Sequence, residues 1–298
     1  MTAPAWLWIV FTIVGATGQA FRNAAQRSLI DTVGTVGATH VRFLFGLPFG
    51  LFALAMVYFI AGSLPMPTPV SLAWTLMGAV TQILATGLML AAMRERSFVV
   101  TIAYIKTEPI QVALFALVFL GERISWPVAA AILIATGGVL LISWPNRAGR
   151  EVFSWRPAIL GLVSGAFFAL SAIGFRGGIV AMASPDYVAA ATLTLAISLA
   201  LQTAILTAWL IVRRPEVMRA ILGAWRQSLA AGFLGAFASE MWFLAFALQS
   251  PARVRILGLV EVVVAGLLSR RMFAQTPGAR DIVGIALIVA GIALVVSA

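Results

Sequence analysis

The sequence predicts an all-α membrane protein: ten transmembrane helices arranged as two inverted five-helix repeats. Three observations carry that expectation. The 298-residue chain is 62% hydrophobic and only 10% charged, with mean hydropathy +1.04. A soluble domain is nearer half apolar and a quarter charged, so this chain has too few polar residues to cover a water-facing surface. Its apolar residues fall in ten runs of about the 20 residues that cross a bilayer. The second half also echoes the first at a shift of 153 residues.

Read against turn and charge punctuation, the ten spans are roughly 5–26, 38–61, 70–93, 97–120, 126–144, 157–180, 186–212, 225–247, 251–270 and 278–297. The breaks carry PMPTP (65–69), RER (94–96), WPNRAGRE (144–151), RRPE (213–216) and RRMFAQTPGARD (270–281). Backbone groups in lipid must be satisfied internally, so such runs are helices. The strict alternation of a membrane barrel is absent. No loop is long enough for a separate soluble domain. The N-terminal MTAPAWLW lacks the basic segment of a cleaved signal peptide, so the first run is expected to be a retained helix.

The internal repeat defines the organisation. At a shift of 153, Ser97 falls on Ser250, Glu108 on Glu261 and Gly138 on Gly291, and the fifth span lies over the tenth. At 154, Phe21-Arg22 falls on Phe175-Arg176. The expected units are residues 1–147 and 148–298. Five helices per unit is an odd number, so the units oppose each other in the bilayer, an arrangement that places substrate near the midplane in transporters.

Charge sets orientation and excludes other classes. The formal net charge is +10, from 19 arginines and Lys106 against ten carboxylates. Fifteen arginines lie in or beside the gaps after spans 1, 3, 5, 7 and 9, and four (Arg123, Arg176, Arg253, Arg255) on the other side. That bias marks cytoplasmic loops rather than a nucleic-acid surface, and it puts both termini outside. With no cysteine and one histidine there is no thiol chemistry and no nitrogen–sulfur metal set. No cofactor, metal or catalytic residue is expected.

Segment 97–144, with EPIQVALFALVFLGERISWPVAAAILIATGGVLLIS, resembles the fourth and fifth helices of an EamA domain of the drug/metabolite transporter superfamily. The marks are Pro109 midway along the helix, the turn Leu120-Gly121-Glu122 and Gly137-Gly138. The second half matches through Ser250-Pro251 and Gly291, but Val262 stands in place of the proline and Ala274-Gln275 in place of Gly-Glu. The resemblance covers the whole chain. It implies a secondary transporter, with ten-helix exporters of amino acids and related metabolites the nearest type. That type is expected to keep both termini in the cytoplasm, opposite to the arginine bias.

Polar residues at bilayer depth name the candidate site, because a charge there costs about 2.5–3.5 kcal/mol or more and faces protein or water. Lys106 and Glu108 lie on different helix faces, and Glu108 shares one with Tyr104 and Gln111. Pro109 cannot donate to the carbonyl of Ile105, which loosens the helix there. Residues 104–111 are therefore expected to wall a substrate site, with a structural ion pair from Lys106 to a glutamate as the alternative. Glu240 and Trp242 stand in span 8, with Gln82 on the matching span 3; Glu240 is a candidate partner for Lys106, a coupling proton or a substrate amine. Trp242 stacks on substrate or simply packs. Gln19, Arg22 and Asn23 form a carboxylate-binding candidate near the end of span 1, with Arg176 its symmetry mate; headgroup snorkelling is the alternative for both arginines. Arg255 opens span 9 as a carboxylate-capture candidate. Glu261 mirrors Glu108 with Leu259 where Glu108 has Lys106, and joins Glu108 and Glu240 as a coupling candidate. His40 and Arg42 are expected at the interface.

Alternating-access transport of an amino acid or similar metabolite, with protons a candidate coupling ion, is the expected function. A lipid-linked or cationic drug substrate is the alternative; an intramembrane enzyme or a receptor is remote.

Overall fold

The computed structural model describes residues 4–95, 101, 104–121, 123–143, 155–262 and 279–297. Among these there are eleven helices and no strand. They are α1 (Leu7–Leu44), α2 (Leu47–Ala61), α3 (Pro69–Glu95), α4 (Glu108–Leu120), α5 (Trp126–Ser143), α6 (Trp155–Val180), α7 (Tyr187–Arg213), α8 (Pro215–Gly223), α9 (Trp225–Leu248), α10 (Pro251–Leu257) and α11 (Ala279–Ser297). Spans 3, 5, 6, 7, 8 and 10 are α3, α5, α6, α7, α9 and α11. Spans 4 and 9 contain α4 and α10, and α8 is a short connector absent from the sequence reading. Glu122, Ala274-Gln275, residues 144–154 and the latter part of span 9 lie outside the described residues.

Five helical stretches are long and apolar enough to cross a membrane, within Leu7–Ala61, Pro69–Glu95, Trp155–Val180, Tyr187–Arg213 and Trp225–Leu248. Large apolar side chains such as Phe52, Phe59, Trp126 and Val212 point outward, which a bilayer favours and water does not. The chain is a multi-pass membrane protein.

Packing follows the repeat. α3 packs on α6 and α1 on α9, two interfaces that exchange under the internal symmetry. α5 packs on α11, α2 on α7 and α4 on α10, each against its own counterpart. Without a hydrophobic drive in lipid, such contacts depend on small residues that let backbones approach. At the α3–α6 crossing a Cβ on Gly174 would lie 2.8 Å from Gly78 Cα. Gly15 and Gly18 seat α1 against Met241 and Ala238 in the same way.

Three departures from the sequence reading matter for the site. No loop separates spans 1 and 2: α1 continues through 26–38 and turns at Gly34 alone, with φ 71° and ψ 172°. Gln26 Nε2 donates to Ala38 O at 2.9 Å, twelve residues on, so the chain has doubled back; a straight helix would separate them by about 18 Å. Asp31, read as loop, is helical, and Arg22, Asn23 and Gln26, read at the end of span 1, lie well inside α1. His40 and Arg42, expected at the interface, are buried; His40 Nε2 sits 3.0 Å from Thr207 Oγ1. Span 2 is interrupted next to Pro48, at Phe45-Gly46, because the proline cannot donate to the Leu44 carbonyl.

Spans 4 and 9 are also interrupted, at Lys106-Thr107 and at Gly258-Leu259. These breaks nearly coincide under the repeat. Both carry i→i−3 hydrogen bonds: Thr107 N to Tyr104 O at 3.4 Å and Leu259 N to Ile256 O at 3.0 Å. Pro109 explains the first. At the second, Gly258 leaves room for a tryptophan, since a Cβ there would lie 2.5 Å from Trp242 Cη2.

Candidate functional site

The two broken helices bring their charges together across the repeat. Lys106 Nζ lies 2.5 Å from Glu261 Oε2, and Arg255 Nε lies 3.0 Å from Glu108 Oε1. Each carboxylate takes its cation from the opposite half. Glu261, which sequence register deprived of a lysine, receives the one lysine in the chain. The structure thus contains the ion pair from Lys106 to a glutamate that was one alternative; the partner is Glu261 rather than the candidate Glu240, whose Oε1 accepts from Thr192 Oγ1 at 2.6 Å. Both pairs cross between the halves, which the fold interleaves.

α1 completes the cluster. Gln19 Nε2 donates to Glu261 Oε2 at 3.1 Å and Asn23 Nδ2 to Glu261 Oε1 at 3.5 Å. Arg22 donates to Asn23 Oδ1 through Nη2 at 2.8 Å. Arg42, from the second half of the α1 hairpin, donates to Thr86 Oγ1 at 3.2 Å and Ser239 Oγ at 3.1 Å. The guanidinium of Arg255 lies 4.4 Å from the ring centroid of Trp242 and 5.3 Å from that of Phe246, a cation–π setting between aromatic faces and Glu108. Arg22, Arg42, Lys106, Arg255, Glu108 and Glu261 are all buried, Arg255 the least so at 7% exposed.

Two hollows adjoin the cluster, each about 10 Å³, near the space one water occupies. The first is lined by Arg22, Asn23, Lys106 and Glu108, the second by Arg42, Gln82, Ser239 and a wall of aromatic side chains; Gln19, Phe168 and Arg255 line both. Each of these two hollows is smaller than an organic solute.

The remaining candidates divide. Gln82 lines the second hollow and accepts from Gln202 Nε2 at 2.8 Å. Trp242 lines the same hollow, with Nε1 buried and lacking a hydrogen-bond partner among the described residues. Tyr104 lies before the break at Lys106-Thr107, so its register to Glu108 is not kept, whereas Glu108 and Gln111 both lie on α4. Tyr104 packs on Gly161 and Gln111 Nε2 donates to Leu162 O at 3.5 Å, both on α6. Of the substrate wall expected from 104–111, Ile105, Lys106 and Glu108 line a hollow. Arg176 donates to the carbonyls of Phe246 and Ala247 at the end of α9 and lines neither hollow. It parts from Arg22 because α6 ends four residues later, whereas α1 runs well past Arg22. Asn23 joins the site beside Arg22, as the sequence suggested. Arg42, Ser239 and Gln202 are site-forming residues that the sequence reading missed; Arg42 was masked by its resemblance to a loop arginine.

A buried ionic cluster between inverted, broken-helix halves defines a class: membrane transporters of small molecules. The EamA-like transporter family model matches residues 6–144 and again 155–297. The chain belongs to the EamA-like transporter family. No curated protein matches the chain significantly. A solved crystal structure of a protein is similar over 96% of this chain and 98% of its own, with a TM-score of 0.67 at 17% identity, a likeness of fold.

Proposed function

We propose that the chain is a secondary transporter that moves a small organic metabolite bearing an anionic group across a bacterial-type inner membrane by alternating access. The observation that carries this reading is the crossed pairing of Lys106 with Glu261 and of Arg255 with Glu108, buried between the two halves. A ligand shifts a conformational equilibrium only through contacts that differ between states. Here an incoming anion competes with Glu108 for Arg255, so binding itself loosens the bond that joins the halves. Gln19, Arg22, Arg42, Gln82 and Trp242 surround the place where the ligand would sit.

An amino acid, the substrate expected from sequence, would use the arginines for its carboxylate and Glu108 for its amine. Export is favoured by resemblance alone. Protons are the candidate coupling ion, with Glu108, Glu240 and Glu261 as carriers. The arginine bias supports both termini outside.

Reconstituted vesicles test the reading. Flux of at least one organic acid or amino acid is expected, with the solute recovered unchanged and Arg255→Gln abolishing it. Flux untouched by replacing Lys106, Glu108 and Glu240, or chemical turnover of the solute, would remove the proposal. Flux indifferent to an imposed pH gradient would remove the proton.

A further inference from the structure

We infer that the substrate is an organic dianion, a dicarboxylate or a phosphate monoester, rather than a zwitterion. The inference rests on the transporter reading and deepens it. Its basis is a charge count. The buried cluster holds four cations (Arg22, Arg42, Lys106, Arg255) and two carboxylates (Glu108, Glu261), an excess of two positive charges. Both carboxylates are engaged by Lys106 and Arg255. Arg22 and Arg42 bond only neutral acceptors, Asn23 Oδ1 in the first case and Thr86 and Ser239 hydroxyls in the second. Among the described residues neither has a carboxylate in ion-pair contact.

Buried charge in a low-dielectric interior calls for a counter-charge. A zwitterion adds none, and a dianion cancels the excess. The hydrogen-bonding inventory points the same way. In the second hollow, Arg42 Nε and Trp242 Nε1 are buried without a hydrogen-bond partner among the described residues, and Arg255 Nε faces Glu108 Oε1 at 3.0 Å. All three are N–H donors, suited to carboxylate or phosphate oxygens. The stems of the two surplus arginines lie together over Gly235, where a Cβ would come 2.8 Å from Arg42 Cγ and 3.7 Å from Arg22 Cδ. Glu240 is absent from both hollow linings, and among the described residues the one carboxylate that lines them is Glu108, 3.0 Å from Arg255 Nε. Phe168, Phe175, Phe243 and Phe246 offer the ligand's carbon body an apolar wall.

Binding to purified protein in detergent tests this independently of flux. Succinate and phenyl phosphate, the carboxylate and phosphate arms, are compared with phenylalanine and with sodium chloride at equal ionic strength, by thermal shift and calorimetry. At least one dianion should bind and raise Tm while phenylalanine and chloride do not. Arg22→Gln and Arg42→Gln should each weaken that dianion by at least about tenfold, the loss of one charged hydrogen-bonding partner. The ligand ranking on the unmodified protein decides the matter even where a variant does not fold. Phenylalanine binding as tightly as the dianions, stabilisation by chloride alone, or no response to either dianion would overturn the inference. Dianion binding without flux of any solute would instead count against the transporter reading.

Discussion

Lys106 shows how much one side chain depends on its partner across the molecule. Breaking a buried ion pair leaves an uncompensated charge, at a typical cost of about 3–5 kcal/mol. Lys106→Met should lower stability by that order, measured by thermal or denaturant unfolding in detergent. Lys106→Met with Glu261→Gln should recover much of the loss, because the stranded carboxylate is then neutral. A double variant no better than the single one would mean that the pair contributes little. The individual charges were legible in the sequence, since a lysine and two glutamates inside apolar runs demand a protein partner. Their pairing was not: contacts between residues 155 apart, as in Lys106–Glu261, are set by how the helices interleave. Arg42 shows the converse error. An arginine near a break is ordinarily a loop residue, and only the tight hairpin at Gly34 carries this one inside.

At the scale of the element, that hairpin is the least foreseeable feature. The sequence between residues 26 and 38 has the polar composition of a loop, but hydrogen bonds such as Gln26 to Ala38 O keep it helical on both sides of one glycine. Non-glycine residues held at such a positive-φ extended geometry cost about 1–3 kcal/mol. Gly34→Ala should therefore lower Tm although no side chain crowds the position, and Asp31→Ala, three residues away and exposed, should not. Equal effects of the two would argue against backbone strain. The broken helices were more legible. Pro109 announced the interruption of span 4, whereas the matching break in span 9 has no proline, and Gly258 alone gives no sequence signal to tell it from a packing glycine.

For the whole molecule, hydropathy and the internal repeat were enough to read an all-helical, ten-span fold, because bilayer thickness imposes a length on every run. The orientation remains a proposal resting on the arginine distribution. Arg22 and Arg42 are buried and no longer count as loop markers, yet most of the remaining arginines still cluster on one side. The chain contains no cysteine, so single introduced thiols give a clean readout. Ser63→Cys should react with an impermeant maleimide added outside intact cells, and Glu216→Cys only after permeabilisation. The reverse pattern would place both termini in the cytoplasm.

The same whole-molecule view gives the surplus arginines a directional meaning. Both belong to the first half. In the second, the counterpart of Arg22 is Arg176, tied to backbone carbonyls, and the position matching Arg42 is apolar, Leu195 or Ala196 according to register. A perfectly duplicated carrier would show mirror-image faces to the two compartments and bind its cargo equally from each. This one is lopsided at its centre, so in the proposed cycle its affinity at one membrane surface differs from that at the other.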